Sequence, residues 1–165
     1  MWLVDSTLST VDIFCDDSQW NFVEHELMNV SKFLKLMTML IPLLLLLDAI
    51  WLGVLVKDFY GQQVGEIIRR NETGMNPRWG AATIVYLLIP TGLILFVRPK
   101  ISAQAGLKSA FGWGAIYGVV LYGVYDFTNL AVLEAWTIPV TLADVFWGGV
   151  LCGVLSTAMY LFDPL

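Results

Sequence analysis

Four long apolar runs constrain this chain more than any other feature: about residues 33–56, 79–97, 109–133 and 138–162, with polar breaks between them. Each run exceeds the roughly 18 apolar residues that mark a transmembrane helix. In hydrocarbon a backbone must satisfy its own hydrogen bonds, and a helix does so within one segment. The expected fold is therefore all-α: an integral membrane bundle of four transmembrane helices spanning residues 32–165. The composition agrees, since 58% of the 165 residues are hydrophobic and only 14% are charged, too apolar for an ordinary soluble domain. Four spans place both termini on one face, side A. The connections at 57–78 and 134–137 then lie on the opposite face, side B.

Residues 1–31 form a separate region. Asp5, Asp12, Asp16, Asp17, Glu24 and Glu26 occur with no basic residue before Lys32, which fits neither a secretory signal nor a transit peptide. Trp2, Phe14, Trp20 and Phe22 make it stickier than a typical disordered tail. It reads as an acidic arm, either partly disordered or docking on a partner. Cys15 and Cys152 lie in unlike settings and His25 is the single histidine. No metal-ligand spacing results, and no cofactor is indicated. Net charge is −5 with no basic cluster, which argues against nucleic acid.

The connection after the first span carries Phe59, with Tyr60, Val64, Ile67 and Ile68 at helical spacings. It predicts an amphipathic helix over 59–70 lying at the membrane interface. Pro90 inside the second span predicts a kink. Thr137 can cap the fourth span, with Pro139 in its first turn.

The third span holds the densest polar set. Gly114, Gly118, Tyr122, Tyr125, Asp126 and Asn129 recur at spacings of three and four, so a helix puts them on one face. Counted inward from side B, Asp48, Asp126 and Asp144 all lie roughly 9–12 Å deep, and Tyr86 of the second span falls at the same level. A carboxyl at the centre of a spanning helix costs about 2.5–3.5 kcal/mol by insertion scales, so it needs a partner or a wet cavity. No Lys or Arg lies at that depth. Like charges this close cannot all ionise, so the neutralisers are protons, a bound cation or a cationic ligand. The predicted ligand- or proton-binding set is Asp48, Asp126, Asn129, Asp144, Tyr86, Tyr122 and Tyr125, in one pocket opening toward side B. The alternative is that the carboxyls bond across helices and fix their packing, for about 0.5–2 kcal/mol each.

The first and last spans share a local pattern. Asp48-Ala-Ile-Trp51-Leu-Gly53-Val54-Leu55 matches Asp144-Val-Phe-Trp147-Gly-Gly149-Val150-Leu151 at Asp, Trp, Gly, Val and Leu. In each, Trp follows Asp by one helical turn, where an indole can donate to the carboxylate or cover it from lipid. Trp51 and Trp147 are therefore supporting residues. Gly114 with Gly118, and Gly149 with Gly153, are expected helix-packing faces, available to a homodimer.

These residues resemble a known family, the small bacterial membrane proteins grouped as domain of unknown function twenty-one seventy-seven. The resemblance rests on Leu47-Asp48-Ala-Ile-Trp51-Leu-Gly53, Phe59-Tyr60 with Gly65 downstream, Tyr125-Asp126-Phe-Thr-Asn129-Leu-Ala131, and Ala143-Asp144-Val-Phe-Trp147-Gly148. It covers roughly residues 36–162 and leaves out the acidic arm. It implies a four-helix integral membrane protein with Asp48, Asp126, Asn129 and Asp144 as a functional set, and it implies no particular activity.

Three function classes follow. The first is a protein that binds or translocates a proton, small cation or cationic solute. A second is an accessory subunit of a larger membrane complex, docked through the arm and the glycine faces. The third is a membrane enzyme acting on a lipid, with one Asp as general base and a neighbour as general acid. Against an enzyme, the spans hold no His, no nucleophile motif and no phosphate-binding arginine near the carboxyls. The partner common to all three is membrane lipid, in a bacterial inner membrane or an organellar membrane. Side A carries five Lys and Arg against four on side B, which leans side A toward the cytoplasm or its organellar equivalent.

Overall fold

A computed structural model describes residues 30–72, 74–101 and 106–162. The chain divides into two compact units, Met1–Leu34 and Lys35–Leu165. The acidic arm lies outside the described residues up to Val30, and with it Cys15 and His25.

Four helices are long and apolar enough to cross a membrane: Val30–Leu55, Trp79–Lys100, Gly106–Val132 and Ile138–Phe162. The protein is an all-α, four-span integral membrane bundle. Helix α1, Val30–Ile50, buries Leu36, Met37, Leu40, Leu44 and Asp48, a stripe at the spacing that one face of a helix requires. It continues into a π-helical turn at Trp51–Leu55. Helix α3, Trp79–Gly92, contains Pro90 and passes into a second π-helical turn at Leu93–Val97, then a 3₁₀ turn at Arg98–Lys100. A proline removes one intrahelical donor, and the winding changes just after Pro90. Thr91 Oγ1 donates to the Leu87 carbonyl within α3 at 2.7 Å and lies 3.8 Å from Met37 Sδ of α1.

Helices α4, Gly106–Val132, and α5, Ile138–Phe162, form the tightest pair. Their glycines explain why. A Cβ at Gly118 would strike the Gly148 carbonyl, and one at Gly114 would strike the Cys152 carbonyl. Tyr122 lies on Gly148, Val119 on Gly149 and Phe111 on Gly153. Residues later in α4 thus meet residues earlier in α5, so the helices are antiparallel with their backbones in near contact. Ser156 Oγ donates to the Ala110 carbonyl across the seam at 2.8 Å. Both predicted glycine faces are consumed inside one chain, and a dimer through them has no free surface to use. Tyr117 fills the corresponding gap toward α3, its hydroxyl standing where a Cβ on Gly92 would be.

The connection after span one departs from expectation. Helix α2 covers only Lys57–Gln63, and turns lead to a two-residue antiparallel ladder pairing Arg70 with Met75 and Asn71 with Gly74. The apolar spacing was real, but it serves the protein interior. Tyr60 and Val64 are buried with Val56 and Val140, and Trp51, Phe59, Ile68 and Trp136 pack around them. Tyr60 and Val64 pack against the start of α5, and the helix ends at Gln63 rather than continuing to residue 70. Thr137 completes this contact. Its carbonyl accepts the Thr141 amide at 3.1 Å, while its hydroxyl donates to Gln63 Oε1 at 3.0 Å and so is turned away from the helix it was expected to cap.

Candidate functional site

Asp48 closes the buried stripe of α1 one helical turn after Leu44, and is 8% exposed. Its Oδ1 accepts a hydrogen bond from Trp147 Nε1 on α5 at 3.0 Å. The indoles of Trp51 and Trp147 stack with centroids 4.5 Å apart and planes 1° apart. The two Asp-x-x-Trp turns therefore meet face to face, and the donation runs across helices rather than within one. The mirror-related bond is not made: Trp51 Nε1 is buried without a hydrogen-bond partner among the described residues.

Asp144 of α5, Tyr86 of α3, Tyr122 of α4 and Cys152 of α5 lie within electrostatic range of Asp48. Asp144 is half-buried. All four spans thus place a polar group around Asp48. Tyr122 of α4 packs on Gly148 and lies near Asp48, Tyr86, Cys152 and Asp126.

Asp126 lies one turn beyond Tyr122 on the same face. It is completely buried, and both carboxyl oxygens lack a hydrogen-bond partner among the described residues. Asn129, one turn further on, has its Nδ2 buried in the same condition. A buried polar group left unmade costs about 1–3 kcal/mol, more when charged. Native structures seldom leave several together without water, an ion or a ligand.

Two expectations need correction. Tyr125 does not join the set: it is 60% exposed and its ring meets Trp136 edge-on, centroids 6.1 Å apart. One residue of helix rotates a side chain by about 100°, so the neighbour of a fully buried Asp126 faces outward. Nor do the three carboxyls close on one point. Asp48 and Asp144 are within electrostatic reach of each other, whereas Asp126 connects through Tyr122. Among the described residues no three His, Cys, Asp or Glu side chains stand close enough to hold a single metal ion.

A family model described as Predicted membrane protein (DUF2177) matches residues 33–161. The chain belongs to this family. No match was found among curated proteins or among solved structures. The DUF2177 match reaches all four spans and includes Asp48, Asp126, Asn129 and Asp144.

Within this DUF2177 bundle two further polar residues, Cys152 and Thr141, are fully buried. Cys152 is fully buried, two turns after Asp144 and against Gly118. Its spacing from Asp144 was the available signal. Thr141, also fully buried, accepts from Trp136 Nε1 at 3.1 Å and donates to the Thr137 carbonyl at 3.2 Å. A threonine within an apolar run gives no such sign in sequence, because its donor lies in a connection.

Proposed function

We propose that this DUF2177 protein binds a proton, small cation or cationic solute inside the membrane, through Asp126 with Asn129 and the group formed by Asp48, Asp144, Tyr86 and Tyr122, and passes it between the two faces. The observation that carries this reading is Asp126: a fully buried carboxyl with both oxygens free of hydrogen-bond partners among the described residues. A carboxyl used only to fix helix packing would be expected to bond across a helix, as Asp48 does with Trp147. No lysine or arginine falls within the spans at that depth, so compensation must come from outside the chain. Four spans with both termini on one face would open this set toward the side of the 57–78 connection.

Purified protein in liposomes tests the proposal. An imposed pH or methylammonium gradient should dissipate faster than in empty liposomes, and Asp126→Asn should remove the difference while remaining folded. Equal rates for wild type and Asp126→Asn would contradict it.

A second reading rests on the Trp147–Asp48 hydrogen bond and the Trp51–Trp147 stack. Both knit α1 to α5 and suit an accessory subunit whose carboxyls are structural. In that case Asp126→Asn changes no flux, and stoichiometric partners accompany the protein through purification.

A further inference from the structure

The second span is packed unequally along its length. On one face Ile89, Leu93 and Val97 are 5%, 0% and 3% exposed, and Pro90, Gly92 and Ile94 are buried beside them. The same face continues toward side B through Tyr86 and Ala82, at the spacing that one helix face requires, but there it is only half-buried. Every other residue from Trp79 to Leu88 is exposed. The side-A half of the span is thus fixed in the bundle, and the side-B half stands off it.

The boundary between the halves has the features of a hinge. Pro90 withdraws one intrahelical hydrogen bond, and sharp helix kinks concentrate at prolines and π-turns. Both occur here, the π-helical turn Leu93–Val97 following directly on Gly92. Gly92 itself receives the Tyr117 hydroxyl of α4 where a Cβ would stand, so α4 fills the pivot.

A groove of about 410 Å³ lies beside this hinge. Val85, Leu88 and Ile89 wall it from α3, with Tyr117, Leu121 and Tyr122 opposite on α4. Space against a half-held helix is room for that helix to move into. Two phenols connect such a movement to the polar site. Tyr86 rides on the side-B half and lies within electrostatic range of Asp48. Tyr122, on the opposite wall, lies within range of Asp48 as well.

Resting on the carboxyl-binding reading above, we infer that the side-B half of the second span, residues 79–88, is a gate. It swings about Pro90 and Gly92, opening and closing the α3–α4 groove and with it access to the group around Asp48. The half-helix is about 15 Å long, so a change in kink of about 20° carries its tip through about 5 Å. Closure of this kind sequesters a site from its surroundings.

Two measurements on the full chain test the gate. Pulsed electron resonance in lipid nanodiscs reads spin-label distances, in a Cys15→Ser background where Cys152 is fully buried. Labels at Ala81→Cys and Val124→Cys report the side-B half, and labels at Phe96→Cys and Leu107→Cys the side-A half; all four positions are exposed. The side-B distances should spread over about 5 Å more than the side-A distances. Pro90→Leu should narrow them to the side-A width, and an unchanged side-A width in that variant certifies its packing. Equal widths in the wild-type sequence, or a side-B width that Pro90→Leu leaves unchanged, overturns the inference.

The second measurement locks the groove in liposomes. Val85→Cys and Leu121→Cys stand on its opposite walls, and oxidation should join them, cut methylammonium flux about tenfold, and be reversed by reductant. Failure of the disulfide to form, or flux unaffected by it, overturns the gate while the carboxyl reading stands. Absence of any flux with the wild type overturns the carboxyl reading and the gate's part in access together, and the distance widths then decide the hinge alone.

Discussion

Gly118→Ala is the sharpest test of the helix packing that positions the site. The new Cβ would stand 2.5 Å from the Gly148 carbonyl carbon and 2.9 Å from Cys152 Cβ, with the Gly148 oxygen nearer still. Ordinary carbon contacts are about 3.5–4.0 Å, so α4 and α5 must separate by roughly 1 Å. Overpacking costs about 1–3 kcal/mol, and the upper end applies because the obstruction is backbone rather than a flexible side chain. Alanine regains about 1 kcal/mol of helix propensity, leaving a net loss of about 2 kcal/mol, or roughly 30-fold in the folding equilibrium. Gly123 supplies the control: nothing lies within 4 Å of a Cβ there, so Gly123→Ala should be neutral or stabilising. Reversible unfolding by denaturing detergent in mixed micelles measures both. Equal stability of Gly118→Ala and Gly123→Ala would refute the close antiparallel seam.

Trp147→Phe keeps an aromatic ring against Trp51 but strips the donor from Asp48, and should cost about 1–3 kcal/mol in the same unfolding assay. Trp51→Phe removes an indole N–H that has no hydrogen-bond partner among the described residues, so it should cost clearly less. Ser156→Ala loses the bond to the Ala110 carbonyl and should destabilise by about 0.6 kcal/mol, the average for such bonds in membranes. Val64→Ala, in the buried cluster beneath the connection, should cost about 1.5 kcal/mol for two lost methyl groups. Ile67→Ala, 41% exposed, should stay within about 0.5 kcal/mol.

The spans were legible because a run of apolar residues answers to the membrane alone, whatever its neighbours. The last apolar run forms the single helix Ile138–Phe162. Ends set by local geometry were less legible: the second span continues through Arg98–Lys100 as a 3₁₀ turn rather than stopping at 97. The glycines of α4 and α5 advertised close approach, but nothing in their spacing names the partner, and they found each other within the chain. The connection's apolar positions were correctly seen, yet which surface they cover depends on the start of α5, far away in sequence. The same holds at the site. Equal depth singled out Asp48, Asp144 and Tyr86, since depth follows from residue count along each span. Azimuth does not, and that is why Tyr125 turned outward and Asp126 stood apart. The Trp147–Asp48 bond joins residues 99 positions apart, beyond the reach of any local pattern.

The central claim is that Asp126 engages a proton or cation within the membrane. Infrared difference spectroscopy of the protein in bilayers observes carboxyl groups directly. The proposed function predicts that a pH step or added methylammonium perturbs a carboxyl band in the wild type, and that this change is absent in folded Asp126→Asn. A wild-type carboxyl spectrum that both treatments leave unchanged, or a change that persists in full in Asp126→Asn, would contradict it.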